Sequence, residues 1–275
     1  MGVAMGDKAT VNGVSTAQQW KVAYSEDDRP YVASNTQRGT ARDCGILDWT
    51  GQYWAYGARP AVFPGDDFSF VGEATTDVNA WGTSIVERLQ IAWQQEENQY
   101  VHHIVDFAGN GALTLGDYGS PITDATVPGL TCGAGLIVTL DGVTLADVRK
   151  VYLDISRRHG KPPGQQGNKP YSSSSVPGAM RRKKGWLDYK FSIDCYVANW
   201  TDLPALQDEP VVKIYDSATT FWHLKWGRII GLHDIGANVE EGDLLHVGIL
   251  GAMQATNGSS LGWVKSPGEV SEWPD

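Results

Sequence analysis

The chain has 275 residues, with 32 acidic and 22 basic side chains and a formal net charge of −10 at pH 7. This balance argues against general nucleic-acid binding, because proteins that hold polyanions usually cluster Lys and Arg. The sequence has no long apolar run, and its N-terminus, MGVAMGDKATVNG, lacks the regions of a signal peptide. We therefore expect a soluble protein that is made in a cytoplasm and has no membrane partner.

Short alternating segments recur along the chain, bounded by Gly, Pro, Asn or Asp, and each predicts a β-strand. A weak helix candidate lies at 217–226, and a turn is expected near 201–207. Many short strands separated by turns predict a mainly β fold of the sandwich or barrel class with few short helices. In chain order the predicted strands cover 19–25, 67–74, 84–93, 136–145, 148–156, 189–199, 211–217 and 246–250.

Parts of the first half of the chain return in the second half, which indicates an internal repeat. VNGV (11–14) resembles LDGVT (140–144), and both contain an Asx-Gly pair that favours a tight hairpin turn. The aromatic run GILDWTGQYWAYG (45–57) resembles GWLDYKFSIDCYV (185–197) at a constant offset of 140 residues. Because the segment is repeated, a structural role is favoured over a role as a binding surface.

Two further pairs of segments follow in the same order. PAVFPGD (60–66) resembles PALQDE (204–209), and HHIVDFAGNGAL (102–113) aligns with LHDIGANVEEGDLL (232–245). The conserved order predicts two tandem β domains, which would cover 1–128 and 129–275.

One segment of the second half, 157–184, is rich in Gly, Pro and Ser and cannot form a packed strand. It carries eight basic residues and no acidic one, which leaves −18 on the rest of the chain. A cationic loop on an anionic body is suited to docking on another copy or another anion, although a solvated loop explains the charge equally well. The basic residues of this loop are Arg157, Arg158, Lys161, Lys169, Arg181, Arg182, Lys183 and Lys184.

The sequence contains no GxSxG, HExxH, GxxxxGK[ST] or GxGxxG motif, and no catalytic residue or cofactor is predicted. His102 and His103 are adjacent in a predicted strand and point to opposite faces, so they do not predict a metal site with Asp106. The three cysteines, Cys44, Cys132 and Cys195, show no CxxC spacing that would indicate a zinc site or a disulfide framework. We expect Cys44 and Cys195 to be buried as small apolar side chains.

The chain has eleven Trp and eleven Tyr, a content that also suits a surface for stacking on sugars. On a strand over 45–57, Trp54 and Tyr56 share one face, and Tyr53 and Ala55 share the other. Large aromatic residues on both faces favour burial against the core on one side and against a neighbouring subunit on the other. Trp49, Trp54 and Tyr56 are therefore candidate interface residues.

Residues 12–70 resemble the tail tube (major tail) proteins of tailed bacteriophages. The resemblance lies in the Asx-Gly hairpin, a polar loop, the pattern R-x-x-G-x-x-D-W-x-G over 42–51 and the pattern P-x-x-x-P-G-D over 60–66. It covers roughly the first quarter of the chain. It implies a β-sandwich or partly closed barrel with a flanking helix, present here as two tandem tail-tube-like domains.

This resemblance also implies a function. The protein would be a structural part of the virion that assembles into stacked rings and forms the tube through which DNA passes. Three copies of a two-domain chain would close a pseudo-hexameric ring. Its partners would be its own copies, other tail proteins and genomic DNA, which an acidic lumen would let pass without specific binding. The chain would be made in the bacterial host's cytoplasm, and the basic loop would connect subunits or rings.

Two alternatives stay open from the sequence. One is another β-rich virion component, such as a distal tail or hub protein or a capsid decoration protein. The other belongs to a different class, a carbohydrate-binding module that uses its Trp and Tyr surface.

Overall fold

The computed structural model describes a chain that is mainly β, and the described residues contain no helix. They form seventeen strands, all paired antiparallel. The described residues are 2–31, 41–58, 60–75, 78–94, 101–125, 136–145, 147–157, 187–197, 203–206, 208–215, 221–224, 227–237, 245–253 and 263–265.

The first eight strands belong to the first half of the chain and the other nine to the second half. The first-half strands are β1 (Gly2–Gly6), β2 (Lys8–Val11), β3 (Val14–Ala17), β4 (Gln19–Tyr31), β5 (Ala41–Tyr56), β6 (Asp67–Thr75), β7 (Val78–Gln94) and β8 (His102–Gly116). The second-half strands are β9 (Ile137–Leu140), β10 (Val143–Thr144), β11 (Val148–Arg157), β12 (Leu187–Val197), β13 (Val212–Tyr215), β14 (Phe221–Leu224), β15 (Gly227–Ala237), β16 (Leu245–Met253) and β17 (Trp263–Lys265).

A main sheet runs through both halves in the order β1-β4-β5-β8-β7-β11-β12-β16-β15. Strands β2, β3 and β6 branch from it, because β6 pairs with the first part of β7 and β2 pairs with β6. In the second half, the order β10-β9-β13-β14-β17 forms a separate five-stranded sheet. The main sheet is open, since its path ends at β1 on one side and at β15 on the other.

The core lies between the main sheet and these smaller groups of strands. Every second residue of the main-sheet strands faces the core, as in β11, where Val151, Leu153 and Ile155 are buried. From the smaller group of strands, Phe70 of β6 packs against Phe107 of β8 in the main sheet, with ring centroids 4.9 Å apart. One continuous cluster of buried residues includes side chains from both halves.

The structure confirms the mainly β class, and the predicted strands coincide with strands of the sheets over their described residues, except that 136–145 contains two strands, β9 and β10, joined by a turn. The helix candidate at 217–226 is wrong over its described residues, because Phe221–Leu224 forms β14. There Trp222 and Leu224 are buried while Phe221 and His223 are half-buried, which is the two-residue period of a strand. The flanking helix that the resemblance implies is likewise absent from the described part of the chain.

The predicted boundary between 128 and 129 falls in a segment outside the described residues. The main sheet crosses from one half to the other through the pairing of β7 with β11. The two halves therefore share one sheet, and the division into two domains stays a prediction.

Candidate functional site

The strand order of the first half recurs in the second. Strands β2 to β8 are arranged as β3-β2-β6-β7 and β4-β5-β8-β7, and their counterparts are arranged as β10-β9-β13-β14 and β11-β12-β16-β15. The long strand β7 takes both of the places that β14 and β15 take separately. By this correspondence β4 is the counterpart of β11, and β8 is the counterpart of β16. The sequence alignment of 102–113 with 232–245 is therefore wrong, since 232–237 belongs to β15.

The two hairpin turns are built in the same way. Asn12 and Asp141 have φ values of 51° and 49°, and each is followed by a glycine with positive φ, as the predicted Asx-Gly turns require. The Asn12 side chain accepts a hydrogen bond from the Ser69 N–H at 3.0 Å, and Asp141 accepts one from the Val211 N–H at 2.8 Å. Each turn thus holds the start of a neighbouring strand.

A second turn also occurs twice. The Asp66 carboxylate accepts a hydrogen bond from the Phe63 N–H at 2.9 Å, and the Phe63 carbonyl accepts one from the Asp66 N–H at 2.8 Å. Asp208 and Ala205 make the same two bonds, at 2.7 and 3.2 Å. The same turn thus occurs in both segments, but with Phe63 and Asp66 in the places of Ala205 and Asp208, which is two residues away from the sequence match of Pro60 with Pro204.

The same β-bulge interrupts β7 and β15. The register shifts after Val86 in β7 and after Ile229 in β15, which leaves Glu87 and Ile230 as the extra residues. The N–H groups of Val86 and Ile229 donate to the carbonyls of the two turn aspartates, at 3.0 and 2.9 Å. Bulges are specific features of a strand, so the shared one identifies β15 as the counterpart of the second part of β7.

The junction between the halves is the β7–β11 pair, which runs from Lys150 opposite Gln94 to Ser156 opposite Arg88. Its core side is filled by large apolar residues that are at most 1% exposed, among them Leu89 and Leu153. On its polar side the Arg88 guanidinium donates two hydrogen bonds to the Asp154 carboxylate, which raises the pKa of Arg88. A bidentate pair of this kind fixes orientation as well as adding attraction.

A cleft of about 580 Å³ opens at the end of this junction. Its charged lining residues balance each other, because Glu87, Asp154 and Asp188 face Arg88, Arg157 and Lys190. The cleft has neither a net positive lining for an anion nor a group of carboxylates for a cation.

The polar face of the main sheet is charge-balanced in its second half. Lys150 lies directly opposite Asp194, and Lys190 lies opposite Asp154. Opposite charges in facing positions stabilise a strand pair. This part of the face therefore does not concentrate the acidic excess of the chain.

The two edge strands of the main sheet, β1 and β15, differ from this junction because they carry exposed apolar side chains. Strand β1 carries Val3 and Met5, which are 58% and 64% exposed, and strand β15 carries Ile230 and Ile235, which are 58% and 45% exposed. Beyond β1 and β15, no strand of the described residues pairs with the sheet. Open edges with exposed apolar side chains are templates for pairing with another strand.

The structure places Trp49 in the core. It is 1% exposed, and its Nε1 donates a hydrogen bond to the Gly111 carbonyl at 3.0 Å. Tyr53 and Ala55 are buried on the same face of β5, as the alternation predicts. Trp49 is thus buried within a single copy of the chain.

Trp54 and Tyr56 lie together on the opposite, polar face, with ring centroids 4.4 Å apart. His102 of β8 lies opposite Tyr56, and its ring centroid is 5.7 Å from that of Trp54. The counterpart pair in the second half is Tyr196 with His246, at 5.3 Å. These histidines belong to a repeated aromatic pair, which sequence alignment of β8 with β15 missed.

His102 and His103 do point to opposite faces. His103 is buried, and its Nδ1 lies 2.8 Å from the Gly57 carbonyl, so this nitrogen carries the proton and donates. Burial lowers the pKa of His103 to about 4, against the opposing effect of the Gly57 bond. No group of three or more potential metal ligands occurs among the residues whose positions are described.

Cys195 is buried and free, as predicted, and burial raises the pKa of its thiol to about 12. The side chains of Cys44 and Cys132 lie outside the described part of the chain.

Of the predicted basic loop, only Arg157 is described. Its side chain lies against the turn at Gly65, where a Cβ would come within 2.7 Å of the Arg157 Cδ. Arg157 therefore packs on its own chain, at the end of β11. The other seven basic residues, Arg158, Lys161, Lys169, Arg181, Arg182, Lys183 and Lys184, lie outside the described residues.

No protein-family model matches the chain, and no curated protein matches its sequence. The described part of the chain contains no helix with the length and apolar character that crossing a bilayer requires.

Proposed function

We propose that this protein is a structural component of a virion, a tail tube protein whose copies assemble into rings and stack into the tube through which DNA passes. The observation that supports this best is the repeated strand order within one open sheet. The chain already joins two copies of the arrangement edge to edge at β7–β11, and the strands that correspond to this junction at the two ends of the sheet are β15 and β4, of which β4 is paired with β1. A head-to-tail contact that repeats the internal junction closes a ring when the rotation per copy allows it.

In this proposal each half of the chain is a tail-tube-like unit, and three copies supply six units. The resemblance of residues 12–70 to tail tube proteins supports this choice of family, and the duplicated turns and bulge relate the second half of the chain to the first. The virion location, the other tail proteins and the passing DNA as partners belong to this proposal, as does the lack of enzymatic activity.

The test is the state of association of the purified chain. We expect rings or long polymers by negative-stain electron microscopy, and a mass that rises with concentration in sedimentation velocity. Trimers that bind to capsid shells would favour a decoration protein instead. A chain that stays monomeric at every concentration and binds glycans on an array would overturn the structural role and favour the carbohydrate-binding alternative.

A further inference from the structure

The first strand of the chain occupies a place that the second half gives to a joining strand. β4 pairs with β5 as β11 pairs with β12, so Val22 lies opposite Gly51 as Leu153 lies opposite Phe191. The other side of β11 is held by β7, which joins the two halves. The other side of β4 is held by β1. β1 therefore covers the edge that is equivalent to the internal junction.

β1 brings only small side chains of its own to the core side of this edge, and the rings of Tyr24 and Trp20 from β4 pack on its glycines. On the core side it presents Gly2, Ala4 and Gly6, and Ala4 is only partly buried. The corresponding part of β7 presents Leu89, Ile91 and Trp93, each at most 1% exposed. Glycine in a strand weakens it because it offers no side chain to pack. The two apolar side chains of β1, at positions 3 and 5, face outward and are mostly exposed.

β15 is the strand that the repeat would bring to this edge. It is the counterpart of the joining part of β7 and carries the same bulge, at Ile230. One side of β15 pairs with β16, and no strand of the described residues pairs with its other side. Exposure of an apolar side chain at an open edge costs free energy. Pairing with another strand would reduce this exposure.

We propose that the β4 edge is the docking site for β15 of a second copy, and that β1 covers this edge until the incoming strand displaces it. The inference rests on the proposed self-assembly and adds the strand pair and its control. In the register of the internal junction, Leu232 of one copy lies opposite Tyr24 of the next, and His233 lies opposite Ala23. This register ends at His233, because β15 has a second register shift between His233 and Gly236 that the joining part of β7 does not have.

The junction between copies would lack the bidentate ion pair of the junction within the chain. The counterparts of Arg88 and Asp154 are Gly231 and Ala23, which cannot form an ion pair. The contact between copies therefore depends on backbone pairing and apolar packing. This difference lets β1 compete with β15 for the same edge, whereas β7 pairs with β11 within one chain and is held there by the ion pair.

Removal of β1 tests the control. A chain lacking residues 2–6 should assemble at a concentration at least about tenfold lower than the full chain. In the full chain only a fraction of the copies has the β4 edge uncovered, whereas in the truncated chain every copy has it uncovered. Sedimentation velocity over a concentration series measures this, and far-UV circular dichroism together with tryptophan fluorescence checks the fold. Val3→Lys with Met5→Lys is the matched control, since it changes the exposed side chains and keeps the strand.

A covalent lock tests the opposite change. Val3 and Ala23 are paired across β1 and β4, so Val3→Cys with Ala23→Cys places two thiols opposite each other, in a background with Cys44→Ala and Cys132→Ala. After oxidation we expect assembly to be lost, and a reductant should restore it. Each single cysteine variant under the same oxidant is the control. Unchanged assembly of the locked chain would overturn the displacement of β1.

The truncation separates this inference from the proposed function. Assembly of the truncated chain alone would support the covered edge and count against a tail tube built by the full chain. Assembly of the full chain alone, with the truncated chain still folded, would keep self-assembly and overturn the inference, because β1 would then be part of the interface. If neither chain assembles at any concentration, both proposals fail.

Discussion

Trp49 and Trp54 lie on the same strand and face opposite sides of the main sheet. Trp49→Ala should lower the free energy of unfolding by about 3–5 kcal/mol, because it opens a cavity in the core and leaves the Gly111 carbonyl without its bond. Trp54→Ala should cost about 1 kcal/mol, mainly the loss of its pairing with Tyr56. Urea unfolding measures both, and equal losses would contradict the assignment of the two faces.

The buried imidazole of His103 makes the stability of the fold depend on pH. Its pKa is near 4 in the folded chain, below the ordinary value of 6.5, because burial disfavours the charged form. Between these values the unfolded chain binds the proton and the folded chain does not, so the free energy of unfolding falls as the pH drops. This contribution is fully present above about pH 7, and the loss approaches about 3 kcal/mol near pH 4.

Urea unfolding at pH 7, 5.5 and 4.5 measures this dependence. His103→Asn keeps a donor for the Gly57 carbonyl and cannot be protonated, so part of the slope against pH should disappear. His102→Asn, on the polar face, is the control and should keep most of the slope. A slope that is the same in the His103 variant as in the unmodified chain would show that other groups cause it.

The alternation of apolar and polar residues is sufficient to predict most of the strands. It failed at Phe221–Leu224, where a run of aromatic and apolar residues is too short to separate a helix from a strand. It also missed β1, because GVAMG contains two glycines and no β-branched pattern. The repeat was found where both copies keep the same turn chemistry, and it was misaligned at β8, whose real counterpart, β16, shares little sequence with it.

The hairpin turns offer a prediction in which one half of the chain serves as the guide for the other. Asp141→Asn should leave the free energy of unfolding nearly unchanged, because Asn12 makes the same bond and adopts the same φ in the first half. Asp141→Ala should cost about 1–2 kcal/mol, since alanine loses the bond from the Val211 N–H and disfavours positive φ. Thermal unfolding of the two variants, compared with Asn12→Asp, checks this. A large loss in Asp141→Asn would show that the negative charge itself is needed.

The joining of the two halves through one sheet could not be predicted from the sequence. Every strand offers the same backbone donors and acceptors, so the pairing of β7 with β11 is decided by how the whole core packs. The Arg88–Asp154 pair was missed for the same reason, because the two residues become neighbours only through that pairing. Trp54 and Tyr56 were correctly placed on one face by simple alternation, since that depends on a single strand.

The basic loop, 157–184, is the segment that we expect to connect stacked rings. Deletion of 163–180 should leave the fold intact, because β11 and β12 pair up to Arg157 opposite Leu187 and the remaining residues easily connect two antiparallel strands. If the loop connects copies, the deletion should abolish long polymers while the melting temperature changes little. Replacing Arg181, Arg182, Lys183 and Lys184 by Ser keeps the length and removes half of the loop's charge. Loss of polymers in this variant would assign the contact to charge if the unmodified chain also forms fewer polymers as the salt concentration rises. Exposed charge contacts are screened by salt. Long polymers that persist in the deletion variant by negative-stain electron microscopy would refute the connecting role.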